Sequence, residues 1–330
     1  MTTKAEANGD VIRVHDDPCA LDPQAWNALL ASQAAPTPFM RHEYLCALHT
    51  SGSATPDTGW TPLYVTLTRG GELQAACPLY IKVHSYGEYV FDWAWANAYE
   101  QHGLPYYPKA LVAVPFTPVP GTRLLAHDAG ARAALVRALV SLCRERGLSS
   151  LHLLFASDDD WAACDAAGLM QRHTVQFHWH NAGYADLDAF LASLSQDKRK
   201  KIRQERRKVA QAGVAMRHAQ GTAITAQDWD FFYRCYERTY LEHGNAPYLS
   251  RDFFRCMAEH LPQHWLMFIA ERDGRPMASS LIALDGAGAA FGRYWGALER
   301  VDCLHFEACY YSPLQWCIAQ GLARFEGGAQ

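Results

Sequence analysis

Apolar and polar residues alternate along two pairs of adjacent segments, and this alternation predicts two β-hairpins. The first pair covers residues 61–68 and 73–83 around Arg69-Gly70-Gly71. The second covers residues 265–271 and 276–284 around Asp273-Gly274. A glycine-containing turn between two alternating runs is a strong short-range signal for a hairpin. A third strand is predicted after each hairpin, at residues 90–95 and 289–295.

Segments in which apolar residues recur at helical spacing lie before and after these strands. The predicted helices cover residues 22–33, 129–146 and 161–169 in the first half and 186–212, 226–243 and 250–260 in the second. Further strands are predicted at residues 11–17, 151–155 and 174–181, and a long ordered loop at 97–119. Alternation of helices with short strands indicates an α/β fold.

The two halves of the chain also repeat one another. The matched pairs are Trp60 with Trp265, Phe91 with Phe291, Trp95 with Trp295, His102 with His305, and Tyr106-Tyr107 with Tyr310-Tyr311, at offsets between 200 and 205. Several matches in one register favour duplication of an α/β unit. We expect residues 60–95 and 265–295 to form equivalent three-stranded units related by a pseudo-two-fold axis, with domain boundaries at 1–183 and 184–330.

The stretch from residue 289 to the end concentrates residues that carry chemistry. Arg293, His305, Glu307, Tyr310 and Tyr311 fall within nineteen residues. Ser312 followed by Pro313 is the residue pair that commonly begins a helix, with serine as N-cap and proline at the first helical position. The stretch therefore predicts strand, polar turn, helix and strand, with ligands expected near the helix N-terminus.

Charge and composition narrow the class of protein. The net charge of the 330 residues is −4, no apolar run is long enough to span a membrane, and the N-terminus has no apolar signal region. Ten cysteines are scattered without a C-x-x-C pair. Reduced core thiols and a cytoplasmic location are therefore expected. His178 and His180 share one strand face, but no third ligand follows at metal-binding spacing, so no metal is expected.

One predicted helix is far more positively charged than the rest of the chain. Eight Lys/Arg and a single acid, Glu205, lie between Lys198 and Lys208, which gives +7 there and −11 in the rest of the chain. Three interpretations stay open: a solvated face, a site for the phosphates of RNA or a nucleotide, and contact with an anionic membrane surface. Arg199, Arg203 and Arg206 are the predicted phosphate ligands.

Several longer segments carry a resemblance to a known family. They are CPLYIKVHSYGEYVFDWAWANAY, YYPKALVAVPFTPVPGTRLL, KRKKIRQERRKV, FGRYWGA and LHFEACYY. The chain resembles the FemAB-like predicted N-acyltransferase family, of peptidoglycan biosynthesis/recognition type, within the Gcn5-related N-acetyltransferase (GNAT) superfamily. The resemblance implies tandem GNAT-like domains with mixed, largely antiparallel sheets flanked by helices. Family members usually continue past the final Gly-Ala-Gln, so the chain is expected to be truncated at its C-terminus.

The resemblance also suggests roles for residues. In GNAT enzymes a bulged strand supplies backbone N–H groups and the next helix N-terminus faces the pyrophosphate of coenzyme A, which implies donor-binding roles for Gly292, Gly296 and Ser312. Glu307 is the expected general base, Tyr310 or Tyr311 the acid, and His305 the alternative base. In the structural alternative, Glu307 pairs with Arg293 and His305 is a hydrogen-bonded core histidine.

These features predict an N-acyltransferase that moves an acyl or aminoacyl group from a CoA-like or tRNA donor to an amine, without a covalent enzyme intermediate. The usual coenzyme A loop, Gln/Arg-x-x-Gly-x-Gly/Ala, is missing. The alternative is a non-catalytic module that binds RNA, another anionic ligand or a cell-wall precursor. In the first half, Glu88, Asp92, Glu100 and His102 form a set comparable to the residues around Glu307, although Glu307 itself has no clear acidic counterpart there.

Overall fold

The structure is a computed structural model, and it describes residues 2–5, 9–90 and 92–328. Its contacts divide the chain into two compact units, Met1–Thr174 and Val175–Gln330, here called unit 1 and unit 2. Phe91, one of the residues matched between the two halves, lies outside the described residues.

The described part of unit 1 contains nine strands and five α-helices. The strands are β1 Thr2–Ala5, β2 Asp10–His15, β3 Trp60–Pro62, β4 Tyr64–Arg69, β5 Glu72–Cys77, β6 Tyr80–Lys82, β7 Lys109–Val112, β8 Leu125–Ala126 and β9 Leu151–Leu153. The helices are α1 Pro23–Ala31, α2 His42–Thr50, α3 Trp93–Gln101, α4 Ala129–Glu145 and α5 Asp158–Ala166. One sheet has the order β1-β2-β4-β5-β8 and the other the order β3-β6-β7-β9.

The first predicted hairpin is confirmed, but each of its arms is divided between two sheets. Gly70 and Gly71 both adopt positive φ, as a two-residue hairpin turn requires. Pro62 lies just before β4 and Pro78 just after β5, and a proline cannot donate to a strand ladder. The arms therefore leave the β4–β5 ladder near these prolines and continue as β3 and β6 in the second sheet.

The third strand of unit 1 is not at the predicted position. Trp93–Gln101 is a helix, so the prediction of a strand at residues 90–95 is wrong, and Trp95 does not correspond to the strand residue Trp295. Three alanines and one glutamine in this segment favour a helix. The two tryptophans are separated by one residue, and this spacing matches the alternation of a strand. Strand β7 takes the place of the third strand, and it begins where a long loop was expected.

Unit 2 is built on a six-stranded sheet. Its strands are β10 His178–His180, β11 Val214–Gln220, β12 Trp265–Arg272, β13 Arg275–Leu284, β14 Ala289–Ala297 and β15 Arg324–Glu326, in the order β10-β15-β14-β13-β12-β11. Its helices are α6 Leu187–Ser193, α7 Gln196–Gln211, α8 Ala226–Glu242, α9 Arg251–His260, α10 Leu304–Phe306 and α11 Ser312–Ala319. The predicted helix over residues 186–212 is two helices, because Ser195 begins a new helix as the N-cap of α7.

The two units share a strand pattern although the matched residues do not all correspond. In each unit an antiparallel hairpin leads to a strand that pairs in parallel with a later strand, β7 with β9 and β14 with β15. Parallel pairing requires a crossover, and the connection contains α4 in unit 1 and α10 and α11 in unit 2. The duplication is therefore one of topology.

Strand β14 carries an irregularity at its centre. Leu281 and Ile282 of β13 are paired with Tyr294 and Gly292, which leaves Arg293 as the extra residue of a β-bulge. The strand pairs with β15 over Ala289–Phe291. The bulge therefore lies just beyond the last pair of the parallel ladder.

Candidate functional site

The helix that follows β14 contains a π-helical turn, and its sequence explains why. The helical segment starts at Leu304, after Cys303 in the left-handed conformation, and passes through a π turn at Glu307–Tyr311 into α11. The Ser312 N–H donates to the Glu307 carbonyl oxygen, which is the longer π spacing. Pro313 has no N–H to donate within the helix and would otherwise clash with the preceding turn, so the helix widens before it.

This arrangement corrects the predicted role of Ser312. Ser312 is inside a continuous helical segment and its backbone N–H is already bonded, so it is not a helix N-cap and offers no free N–H to a pyrophosphate. The Ala308 carbonyl oxygen loses its usual partner at the π turn. The buried Ser280 hydroxyl of β13 donates to that oxygen at 2.6 Å. The widened turn is therefore bonded to the sheet.

The basic helix α7 has two different faces. Arg199, Ile202, Glu205, Arg206 and Val209 recur at the helical spacing of three and four and form the partly or fully buried face. The exposed face carries six cationic residues, namely Lys198, Lys200, Lys201, Arg203, Arg207 and Lys208. The helix therefore turns Arg206 toward the interior of unit 2 while most of its charge faces solvent.

Arg206 and Glu307 form the polar centre of this region. The Arg206 Nε donates to Glu307 Oε2 at 3.0 Å, and Nη2 donates to Oε1 at 3.1 Å. The Ser312 hydroxyl donates to Oε1 at 2.8 Å, and Arg206 Nη2 also reaches Gln315 Oε1 at 2.9 Å. Glu307 is 4% exposed, so its carboxylate is held in a forked, charge-assisted geometry with little water around it. The expected partner, Arg293, does not take this place.

A cleft of about 530 Å³ opens beside this ion pair. Helix α7, strands β11 and β12, and the π turn with α11 form its walls. The lining residues are Arg206, Val209, Ala210, Val214, Met216, His218, Phe268, Glu307, Ser312, Gln315, Trp316, Ala319 and Gln320. Apolar walls with a few convergent polar groups are typical of a small-molecule site.

Several of the lining residues were not predicted from the sequence. His218 comes from β11, and its ring lies 5.7 Å from that of Phe268 across the β11–β12 ladder. Gln315 follows Ser312 by three positions, so helical spacing from Ser312 is a signal that could have found it. No sequence signal indicates His218, because only the strand pairing brings it to the cleft.

The other predicted catalytic residues lie outside the cleft lining. Arg293, at the bulge, has its guanidinium 5.0 Å from the Tyr294 ring centre and bonds the Tyr294 hydroxyl. His305 lies between the rings of Trp295 and Tyr310, and partial burial there lowers the pKa of its imidazole. Tyr310 also packs against Gly327. The structure therefore groups His305 with aromatic rings and separates it from the cleft lining.

Tyr311 also contacts the basic helix. Its hydroxyl donates to the Glu205 carboxylate of α7. Burial, together with that carboxylate, raises the pKa of the Tyr311 phenol well above its ordinary value. The phenol is therefore kept protonated, and it ties the π turn to α7 one residue before Arg206.

The two glycines predicted to approach a donor are both close to other backbone. A Cβ at Gly292 would lie 3.2 Å from the Gly327 backbone, and a Cβ at Gly296 would lie 1.9 Å from the Cys235 carbonyl oxygen of α8. Close packing of β14 against the chain after β15 and against α8 therefore accounts for both glycines.

All three predicted phosphate ligands have partners in unit 2. Arg206 binds Glu307, as described above, and the other two bind residues closer in sequence. Arg199 donates to the Ala192 carbonyl oxygen at 3.2 Å, and Arg203 forms an exposed ion pair with Asp188 at 3.1 Å. Within the described part of the chain, no group of three His, Cys, Asp or Glu side chains is placed to hold a metal ion. No helix there is long and apolar enough to cross a bilayer.

The strand order, the bulged strand and its parallel partner define a tandem GNAT-like α/β protein, and the comparisons with known proteins agree. The family model described as FemAB-like, peptidoglycan biosynthesis/recognition, matches residues 19–330. The chain therefore belongs to the FemAB-like family. A search of curated proteins finds no match to the sequence.

Solved structures show the same fold at low sequence identity. The crystal structure of FemX is 11% identical with a TM-score of 0.52, covering 96% of this chain and 89% of FemX. L-PGS from Bacillus licheniformis is 11% identical with a TM-score of 0.52, covering 92% of this chain and 75% of that one. The C-terminal domain of a proposed lysylphosphatidylglycerol synthetase from Agrobacterium fabrum is 12% identical with a TM-score of 0.50, covering 92% and 76%. The predicted fold class is confirmed.

Proposed function

We propose that the cleft of unit 2 transfers an acyl or aminoacyl group from an anionic donor to an amine. The observation that carries this proposal is the Glu307 carboxylate, which is 4% exposed, held by Arg206 and Ser312, and part of the lining of an otherwise largely apolar cleft. A buried carboxylate and a guanidinium fixed side by side suit a reaction in which a proton leaves one atom while negative charge grows on another.

The reaction balances with these two groups. The amine nitrogen attacks the ester or thioester carbonyl carbon, a C–N bond forms, and the C–O or C–S bond to the donor breaks. Glu307 takes the proton that the amine loses and passes it to the leaving alcohol or thiol, which regenerates the carboxylate. Among the described residues, Nη1 of Arg206 donates no hydrogen bond, so it is available to the oxygen that becomes negative in the transition state.

The exposed face of α7 supports an anionic donor. Its six cationic residues lie on the helix whose buried face supplies Arg206, so phosphates on the outer face would bring the donor close to the cleft. An RNA backbone can engage several such charges at once, whereas one nucleotide engages fewer. FemX and the lysylphosphatidylglycerol synthetase share the fold of this chain. We favour the version of the proposal in which the donor is an aminoacyl-tRNA. Such a donor would place the reaction in the cytoplasm.

A non-catalytic module is the second candidate, and one observation favours it. Three donors from Arg206 and Ser312 already engage Glu307, as in a structural ion pair. In that case the basic face of α7 would bind an RNA, another anion or a cell-wall precursor without chemistry.

One experiment separates the two functions. The protein is incubated with tRNA charged with labelled amino acids, or with labelled acetyl-CoA, together with a pool of primary amines, and new amides are detected by mass spectrometry. Glu307→Gln should reduce the transfer rate about 10²–10⁴-fold with little change in KM, which is the usual contribution of a general base. Arg238→Gln, which removes an exposed ion pair with Glu242 on α8, is the control and should leave kcat within a few-fold. Binding of charged tRNA without amide formation would establish the non-catalytic module.

A further inference from the structure

Unit 1 contains two lysines that are unusually deep for that residue type. Trp60, Lys82 and Lys109 are register partners on the adjacent strands β3, β6 and β7, so their side chains lie in one row across the sheet. Both lysines are 0% exposed. Buried lysines are rare unless they are paired, and like charges opposite one another on neighbouring strands destabilise a sheet.

The two lysines have different partners. Lys109 Nζ forms ion pairs with Glu88 at 2.8 Å and Asp92 at 2.6 Å and bonds the Ser85 hydroxyl. Lys82 Nζ lies 3.6 Å above the Trp60 ring and donates to the Tyr86 carbonyl oxygen at 3.3 Å. Among the described residues, no carboxylate lies within ion-pair distance of Lys82. The row therefore holds one paired ammonium and one amine in apolar surroundings.

Each carboxylate uses only one of its oxygens. Asp92 Oδ2 accepts from Lys109, Ser85 and the Tyr106 hydroxyl, and Glu88 Oε2 accepts from Lys109. Asp92 Oδ1 and Glu88 Oε1 are buried, and no described group donates to them. Buried polar atoms in proteins are nearly always hydrogen-bonded, so two such oxygens in one cluster indicate a site built to receive donors.

We propose that unit 1 holds a second polar site, centred on Lys82, Glu88 and Asp92, that binds a primary amine. An ammonium group carries N–H donors, and the site offers two buried acceptors to which no described group donates, Glu88 Oε1 and Asp92 Oδ1. With Lys82 neutral, the cluster has two carboxylates and one ammonium, so a bound ammonium restores neutrality. The Trp60, Tyr106 and Tyr107 rings beside the two lysines suit a cation as well.

The charge state of Lys82 supports this assignment. Burial lowers the pKa of Lys82 to about 7, against an ordinary value of 10.5, while burial raises the pKa of Glu88. Glu88 and Lys109 are the charged groups closest to Lys82, with His84 on the adjoining turn and Asp92 and His152 beside Lys109. Near pH 8 Lys82 is therefore mostly an uncharged amine.

One partly exposed segment contributes residues to the site. Ser85 and Glu88 belong to the segment from Val83 to Val90, whose outer side exposes Tyr86 and Tyr89. Tyr89 has φ of 58°, in the left-handed region that costs a non-glycine residue free energy. An amine would reach the carboxylates by displacing this segment.

The test measures binding to the whole chain, so it does not depend on the proposed transfer activity of unit 2. Methylammonium chloride is titrated by calorimetry at constant ionic strength, with NaCl as the matched cation. We expect saturable binding with Kd on the order of 10 mM, close to the limit for a two-atom ligand, and no comparable Na⁺ binding. Affinity should rise about tenfold from pH 6 to pH 8 and level off above pH 8, because protonated Lys82 repels the ligand.

Variants test the named groups. Glu88→Gln and Asp92→Asn should each weaken binding at least about tenfold, and Lys82→Met should remove the pH dependence. Asp10→Asn is the control, since Asp10 is a buried carboxylate of unit 1 paired with Arg69. Equal binding of Na⁺, preferential binding of phosphate, or no saturable binding to the folded wild-type protein would each overturn the proposal.

Discussion

Arg206 and Glu307 are 101 residues apart in the chain, and the guanidinium nevertheless binds the carboxylate with Nε at 3.0 Å and Nη2 at 3.1 Å. This ion pair joins the basic helix to the π turn, two features that the sequence presents separately. The positively charged helix and the buried Glu307 are therefore adjacent in the folded protein.

Removing Arg206 should destabilise unit 2. Arg206→Met leaves the Glu307 carboxylate with the Ser312 hydroxyl alone, and a buried charge without its partner is costly. The Arg206 side chain is 31% exposed, so water offsets part of the effect and we expect a decrease of about 1–3 kcal/mol in the free energy of unfolding. Arg203→Met removes an exposed ion pair and should change it by less than about 0.5 kcal/mol. Urea denaturation measures both, and equal effects would contradict the buried role.

Pro313 should control the position of Glu307. In Pro313→Ala the new N–H can donate within the helix, which lets the π turn relax and moves Glu307 off Arg206. We expect the transfer rate to fall as in Glu307→Gln, and the free energy of unfolding to fall by no more than the about 1–3 kcal/mol expected for Arg206→Met. Pro262→Ala, in a 3-10 turn of the same unit, is the matched control. A wild-type rate in Pro313→Ala would show that the π turn does not position the carboxylate.

The exposed face of α7 should bind polyanions in a salt-dependent way. Affinity for tRNA should decrease linearly in a plot of log K against log salt concentration, because bound counterions are released. Replacing Lys200, Arg203 and Arg207 with glutamine should reduce the slope by up to about 0.9 for each phosphate that is no longer neutralised. Electrophoretic or fluorescence titration at several KCl concentrations gives the slopes. Binding that salt does not weaken would leave a solvated face as the only interpretation.

Gly296 should tolerate no side chain. A Cβ there would lie 1.9 Å from the Cys235 carbonyl oxygen, and a helix backbone cannot give way as a flexible side chain can. Gly296→Ala should cost at least the upper end of the about 1–3 kcal/mol typical of overpacking. Gly292→Ala, with its nearest atoms at 3.2 Å, should cost less. Thermal unfolding measures both effects, and equal melting temperatures for the two variants would contradict this order.

His152 should make unit 1 sensitive to acid. Burial, with Lys109 nearby, lowers the pKa of His152 from 6.5 to about 4, so the unfolded chain binds a proton that the folded chain does not between these values. Stability is therefore lost as pH falls from about 6.5 to about 4 and is unaffected by this group above that range. This difference in pKa corresponds to about 3 kcal/mol. His152→Gln should flatten this part of the stability–pH curve, and an unchanged curve would exclude His152 as its source.

Local signals in the sequence were enough for much of the fold. The turns at Gly70-Gly71 and Asp273-Gly274 require positive φ, which few residues other than glycine, asparagine and aspartate adopt readily, so both hairpins were predictable. The basic helix was equally clear, because its charges and its apolar stripe follow one period. The helix at Trp93 was mispredicted, because two tryptophans with one residue between them satisfy strand alternation, whereas the alanine content favours a helix.

The sequence by itself determined the α/β class, the duplicated hairpins and the concentration of polar residues around Glu307, since each depends on neighbours within a few positions. Only the tertiary structure decided that Arg206, and not Arg293, binds Glu307, and that His218 and Gln315 share its cleft. It also decided that Lys82 and Lys109 stand side by side with two carboxylates. Strand register and the return path of the chain set these pairings, and both result from packing over the whole unit, which no local pattern encodes.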